Sequence, residues 1–252
     1  MSQYTQLTNN LDELNLIEIK NNLNTYLDLI SEGKKSTIEA LLDLTNYEIK
    51  RKQERAISSC VKVANFPFIK EINDFDFTYQ PSLNKKQIED FMSLRFIENN
   101  ENIIFLGNSG VGKTHLATSI GISCAKQRKS TYFINCHDLI NQLSIAHREN
   151  RLEKRLKHFV KYKVLIIDEI GYLPISKDEA NLFFQLITKR YEKRSTIITT
   201  NIQFSKWSET FNDPIIANAI LDRLLHHSHI IKITGKSYRT KNKIEQLKTK
   251  GD

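Results

Sequence analysis

From Asn102 onward, short runs rich in Ile, Val and other strand-forming residues alternate with longer stretches whose apolar residues recur at helical spacing. The runs read "NIIFLG", "STYFINC", "KVLIIDE", "STIITTN" and "HIIKIT". Nearly continuous apolar strands separated by helices predict an α/β fold with a mostly parallel sheet, covered on both faces. Ahead of Asn102 the pattern differs. Residues 1 to about 15, rich in Asn, Thr and Gln, read as a loose tail. From there to Lys62 the apolar positions, among them Ile38, Leu41, Leu42 and Leu44, fall at helical spacing and the stretch closes in the basic run "IKRKQERAISSCVK". "NFPFIKEINDFDFTYQPSLN" has two prolines and no sustained period, so it reads as a linker, with one lead-in helix "KKQIEDFMSLRFI" after it. The expected organisation is a helical N-terminal domain over 1–65, a linker with lead-in helix over 66–100, and a core over 101–252 that ends in a basic C-terminal tail.

Composition narrows the class. The chain has 252 residues, of which 40% are hydrophobic, enough for one ordinary domain with a smaller appendage. Lys and Arg outnumber Asp and Glu by 37 to 29, a formal charge of +8, which suits an anionic partner or reflects a Lys-, Asn- and Ile-rich genome. Cys60, Cys124 and Cys136 are scattered without C-x-x-C spacing, so neither a disulfide framework nor a zinc site is indicated, and a reducing cytoplasm fits. No stretch approaches eighteen uninterrupted apolar residues.

The chemistry begins where the first strand ends. "GNSGVGKT" matches G-x-x-x-x-G-K-[ST], with Gly107, Gly112, Lys113 and Thr114 at the fixed positions. Glycines let the backbone wrap until several N–H groups face one point, and the helix that follows turns its positive end the same way. Such a loop cradles a polyphosphate along Gly107, Asn108, Ser109, Gly110, Val111, Gly112, Lys113, Thr114 and His115. Lys113 reaches the β- and γ-phosphates of ATP, and the Thr114 hydroxyl holds Mg²⁺. "KVLIIDEI" ends in Asp168 and Glu169, which should emerge at the same sheet edge. Asp168 is then the second Mg²⁺ residue, and Glu169 orients a water for attack on the γ-phosphate. Asn201, closing "STIITTN", either bonds that water or the γ-phosphate, or simply opens a turn.

These motifs, with "LINQLSIAHRENRLEKRLK", "LIIDEIGYLP", "FFQLITKRYEKRSTIITTN" and "DPIIANAILDRLLHHSHIIKITGKSYR", resemble the AAA+ class and, within it, the IstB family of ATP-binding helpers of insertion-sequence transposition. The resemblance runs from about Thr37 to Arg239. The family's usual loop, G-P-P-G-T-G-K-T, is replaced here at positions that leave the phosphate contacts intact. The resemblance implies a P-loop AAA+ ATPase domain behind a small helical N-terminal domain. It also implies that Arg223 in "LDRLL" is an arginine finger reaching a neighbouring subunit's site, and that Arg239 in "SYR" touches the γ-phosphate of its own subunit. A guanidinium suits both roles because it offers several planar donors to oxygens that gain charge. DnaC-like helicase loaders share these features.

Residues 147–163 hold seven Lys and Arg against two acids. Arg148, Arg151, Lys154, Arg155 and Lys157 can form a stripe on one helix, suited to a DNA backbone without reading its sequence. "LLHHSH" invites a metal reading of His226, His227 and His229, but no carboxylate or cysteine is expected nearby to complete a site, so they read as a helix end meeting an adjacent subunit. Phe75, Phe77 and Tyr79 pack either on adenine or on the core. The function that best fits is a DNA-dependent ATPase that assembles as a ring or helix on duplex DNA and recruits a partner transposase. A helicase loader, a non-hydrolysing nucleotide-gated DNA binder and a small-molecule kinase are the alternatives.

Overall fold

The computed structural model describes residues 2–240, so the basic tail expected beyond Thr240 lies outside the described residues. The chain divides into two compact units, Met1–Ser59 and Cys60–Asp252. In the first, α2 (Ile17–Ser31) and the greater part of α3 (Thr37–Val63) pack around Tyr26, Ala40 and Leu44, and α1 (Gln3–Glu13) lies against α2. A buried Glu48 accepts from the Glu18 backbone N–H at 2.9 Å and from Arg51 Nη1 at 2.9 Å, so α2 and α3 are tied by charge as well as by apolar contact. The segment expected to be a loose tail is α1. Ser2 caps it, with its hydroxyl accepting from the Thr5 N–H at 3.1 Å, and Leu11 is buried one turn after Leu7. The polar composition concealed that spacing.

The second unit is built on five parallel strands, β1 (Asn102–Gly107), β2 (Thr131–Asn135), β3 (Val164–Ile170), β4 (Ser195–Thr200) and β5 (Ser228–Ile233), in the order β2-β3-β4-β1-β5. All five apolar runs are therefore strands. Alternate residues face opposite layers. Ile103, Phe105, Ile166 and Ile197 pack under α4 (Lys85–Phe91), α5 (Arg95–Glu98) and α6 (Lys113–Lys126). Ile104, Leu165, Ile167 and Ile198 pack under α7 (Cys136–Arg148), α8 (Leu152–Val160), α9 (Lys177–Arg190), the short α10 (Trp207–Thr210) and α11 (Pro214–Leu225). The single lead-in helix expected over 85–97 is two, broken at Leu94, whose φ is +64°. Ile88, Phe91, Leu94, Phe96 and Ile97 are all buried, and at about 100° per residue they would wrap most of the way round one regular helix. The break brings them to one side. No described helix is long and apolar enough to cross a membrane.

Arg190, at the end of α9, is 1% exposed. Its guanidinium donates to the Phe159 and Tyr162 carbonyls at 2.9 Å each, to Thr196 Oγ1 at 3.1 Å and to the Ser195 carbonyl, so one side chain closes the ends of α8, α9 and β4. All of these partners are neutral oxygens, and burial pushes its pKa down to about 9. Arg190→Leu should cost about 2–4 kcal/mol of stability, because it strands several buried acceptors at once. Arg190→Lys should recover little of this, since one ammonium cannot span the same four oxygens. Urea unfolding of the two variants beside the wild type measures both effects, and a Leu variant as stable as wild type would refute the assignment.

Candidate nucleotide site

The loop between β1 and α6 has the backbone that its glycines predict. Gly110 has φ +81° and Gly112 φ +100°, a region that side-chain-bearing residues rarely enter. Space is short as well: a Cβ on Gly112 would stand 2.5 Å from the Phe75 ring. The loop borders a cavity of about 300 Å³, lined among others by Ser109 to His115, Phe75, Glu169 and Arg239. Lys113 is buried, and its Nζ donates to the Gly107 and Asn108 carbonyls at 2.8 Å each. Burial lowers its pKa, opposed by Asp168 and Glu169 and assisted by Arg239. The ammonium is thus held across the mouth of the loop by carbonyls that a polyphosphate can replace.

Asp168, 5% exposed, faces Thr114 across the loop. Thr114 Oγ1 lies 3.0 Å from Asp168 Oδ1, and Thr199 Oγ1 donates to the same oxygen at 2.5 Å. Burial raises the Asp168 pKa, and the two hydroxyls pull it back only in part. A buried carboxylate beside a threonine hydroxyl at a phosphate loop is a hard, oxygen-rich donor set that fits Mg²⁺. Glu169 turns the other way because β3 bulges at this point. Its residues Ile167 and Ile170 pair with Ile198 and Thr200, so three steps of β3 span two of β4. Glu169 takes φ +62°, its N–H donates to Thr199 Oγ1 at 2.9 Å, and its exposed carboxylate accepts from Asn135 Nδ2 at 3.0 Å while lining the cavity. A bulge here re-aims one side chain.

Two segments far apart in the chain close the cavity. The linker supplies Phe75, which lines it and meets His115 edge-on at 5.3 Å, whereas Phe77 packs on the core and Tyr79 meets Tyr238 at 5.2 Å. Burial lowers the pKa of His115. After β5, the Tyr238 N–H donates to the Gly110 carbonyl at 2.9 Å, and Gln80 Nε2 donates to the Lys236 carbonyl at 3.0 Å. Those bonds fix the turn that brings Arg239 to the cavity. Gln80, Asn135 and Thr199 escaped the sequence reading; Asn135, which ends β2, lies directly opposite Asp168 only through the β2–β3 register.

Other expected residues stand apart. Asn201 is exposed in the bend after β4 and is not among the cavity's lining residues. Arg223 lies within the last turn of α11, 4.7 Å over the Phe184 ring, with Nη1 on the Ala219 carbonyl, and it does not line this cavity. The basic stripe is not on one helix. α7 ends at Arg148, and Asn150 at φ +54° forms a left-handed cap in which the Arg151 N–H donates to the Ala146 carbonyl. Arg148 and Arg151 therefore flank a corner, while Lys154, Arg155 and Lys157 belong to α8. Arg155 is half-buried against Phe159 and bonded to Gln142, leaving Arg148, Arg151, Lys154 and Lys157 exposed.

A parallel sheet with β4 between β1 and β3, a phosphate loop after the first and acids ending the second, defines a P-loop domain of the AAA+ class. The crystal structure of the DnaC helicase loader superposes with a TM-score of 0.54 at 25% identity, over 68% of this chain and 97% of that one. The family described as IstB-like ATP binding protein matches residues 9–246, and the chain belongs to it. Among its relatives, the protein named as the ATP-binding protein of insertion sequence IS232 from Bacillus thuringiensis subsp. berliner is 59% identical over 96% of each chain. The one named for insertion sequence IS21 from Pseudomonas aeruginosa is 40% identical over 92% of this chain and 88% of its own.

Thr199→Val should lower stability by about 1–3 kcal/mol, because it leaves the Glu169 N–H unpaired and takes a donor from a buried carboxylate. Thr199→Ser, which keeps the hydroxyl, should restore most of the loss. Thermal unfolding of the nucleotide-free protein decides, and a Val variant at the wild-type midpoint would remove Thr199 from this account.

Proposed function

We propose that the protein is a DNA-stimulated, Mg²⁺-dependent ATPase serving insertion-sequence transposition, in which it assembles on duplex DNA and recruits the element's transposase. The carrying observation is the pairing of a phosphate loop with two acids of unlike surroundings. Asp168 is buried against Thr114, as a metal-supporting carboxylate should be, while Glu169 is exposed to the cavity, as a water-orienting base should be. Asn135 fixes the direction of the Glu169 carboxylate. Lys113 and Arg239 of one subunit both line the cavity, where each would meet the phosphates. The names of the relatives, which pair ATP binding with insertion sequences, supply the biological setting. A helicase loader is the second reading, favoured by the DnaC likeness. A helicase captured by the purified protein, with no effect on strand transfer, would favour it.

Purified protein should hydrolyse ATP with Mg²⁺, and faster with duplex DNA. Lys113→Ala should lose nucleotide binding. Glu169→Gln should keep binding and lose turnover by at least about a hundredfold, within the range of general-base removal. If Glu169→Gln turns over at the wild-type rate, the base assignment is wrong.

The exposed cations at the α7–α8 corner are proposed to meet the DNA backbone. Reversing Arg148, Arg151, Lys154 and Lys157 together should weaken binding to unrelated duplexes about equally and flatten its salt dependence. Nucleotide binding should be unaffected. Arg223, outside its own cavity, is proposed to complete a neighbour's site, a heterologous contact that builds a ring or an open helix. Mixing Arg223→Ala with Lys113→Ala subunits should then recover part of the ATPase activity. No recovery in a mixture that co-sediments would confine Arg223 to its own subunit.

A further inference from the structure

The histidines in "LLHHSH" do have a carboxylate beside them, brought from elsewhere in the chain. Glu192 follows the end of α9 with φ +57°, and His226 and His227 follow the end of α11. Glu192 Oε1 lies 3.4 Å from His227 Nε2 and 3.8 Å from His226 Nδ1, and the two imidazole centroids are 3.9 Å apart. One donor atom from each of the three residues lies within 4.8 Å of the others. Tyr191 Oη stands 2.6 Å from His226 Nδ1.

We propose that Glu192, His226 and His227 form a binding site for a divalent transition-metal ion of the Zn²⁺ type. Donors sharing one tetrahedral ion at about 2.0–2.1 Å stand about 3.4 Å apart; of the three pairs, Glu192–His227 already has that separation, and the other two, within 4.8 Å, must close by side-chain rotation. Two imidazole nitrogens with one carboxylate oxygen suit Zn²⁺ and its first-row neighbours and disfavour Mg²⁺, which prefers oxygens and keeps its waters. A simple ion pair accounts for one histidine on Glu192. The Tyr191 hydroxyl partners the second, at His226 Nδ1, and an ion shared by both rings and the carboxylate would take up that nitrogen in place of this bond. All three side chains are about half exposed, so an ion can enter, and the fourth position is open to water or to the Tyr191 hydroxyl. His229 is excluded, because its Nε2 is 2.9 Å from Glu101 and its ring packs on Phe91.

The ion would link the turn after α9 to the end of α11, the helix that carries Arg223. None of its ligands belongs to the nucleotide cavity, so the site stands or falls independently of the ATPase reading. The test is a titration of chelator-stripped protein with Co²⁺ in excess Mg²⁺, followed by visible ligand-field absorption and by displacement with Zn²⁺. Wild type should show one saturable equivalent per chain, and Zn²⁺ should raise its thermal midpoint. Glu192→Gln and the double variant His226→Ala/His227→Ala should each weaken binding at least about tenfold. His229→Ala should bind as wild type does. Circular dichroism and nucleotide binding, both expected unchanged at these exposed positions, show that the variants fold. Absence of a saturable equivalent in wild type, or affinity unchanged in the Glu192 and double-histidine variants, overturns the site.

Discussion

A carboxylate buried at the end of β3 has to be satisfied, and the nucleotide cavity is arranged around how that is done. Asp168 accepts from Thr114, which follows the phosphate loop, and from Thr199 on the strand between. Without those hydroxyls a charge in this position would be strongly disfavoured. With them, three elements that never adjoin in the chain are drawn to one point. Thr199 also accepts the Glu169 N–H, so the same hydroxyl that steadies one acid anchors the backbone of the other. The bulge between Ile167 and Ile170 then separates the two fates: Asp168 stays buried in the pleat and Glu169 turns out. Two adjacent carboxylates thereby acquire unlike surroundings, which is the condition for their taking unlike roles.

The rest of the cavity depends on backbone contacts that side-chain chemistry alone would not suggest. Arg239 reaches it because the Tyr238 N–H bonds the Gly110 carbonyl and because Gln80, in the linker, holds the Lys236 carbonyl. The linker is therefore a wall of the site as well as a connection. Phe75 fills the space over Gly112 that any larger residue would occupy, so the glycine is required twice, for its φ and for its missing Cβ.

Much of this was legible in the sequence, and the failures have physical causes. All five strands could be read from β-branched runs; β1, β3 and β4 are buried on both faces, which leaves no polar alternation to confuse them, while Ile230 and Lys232 of the edge strand β5 are exposed. The phosphate loop and the acids could be read because their chemistry fixes their spacing. Helix ends were less legible. A single left-handed residue, Leu94 in one case and Asn150 in another, breaks what periodicity reads as continuous helix, and only burial on the sheet or a capping bond reveals the need for it. Pairings across the sheet, such as Asn135 with Glu169 and Thr199 with Asp168, depend on strand order, which local pattern does not carry. The expectation that no carboxylate stands near His226 fails, because Glu192, distant in sequence, is brought beside it by the fold.

Lys113 shows how the cavity holds its charge before any ligand arrives. Its ammonium is buried, depressed in pKa by that burial, and bonded to the loop's own carbonyls at Gly107 and Asn108. Asp168 and Glu169 offset the cost by favouring its charged form. The side chain is therefore already held by two hydrogen bonds beside the cavity, so little of its conformational freedom remains to be lost on binding. A phosphate entering the proposed site exchanges two neutral carbonyl acceptors for charged oxygens, and charge-assisted hydrogen bonds are the stronger kind. The gain comes from that exchange within a prearranged loop, which is why the glycines that shape the loop matter to binding as much as the lysine that tops it.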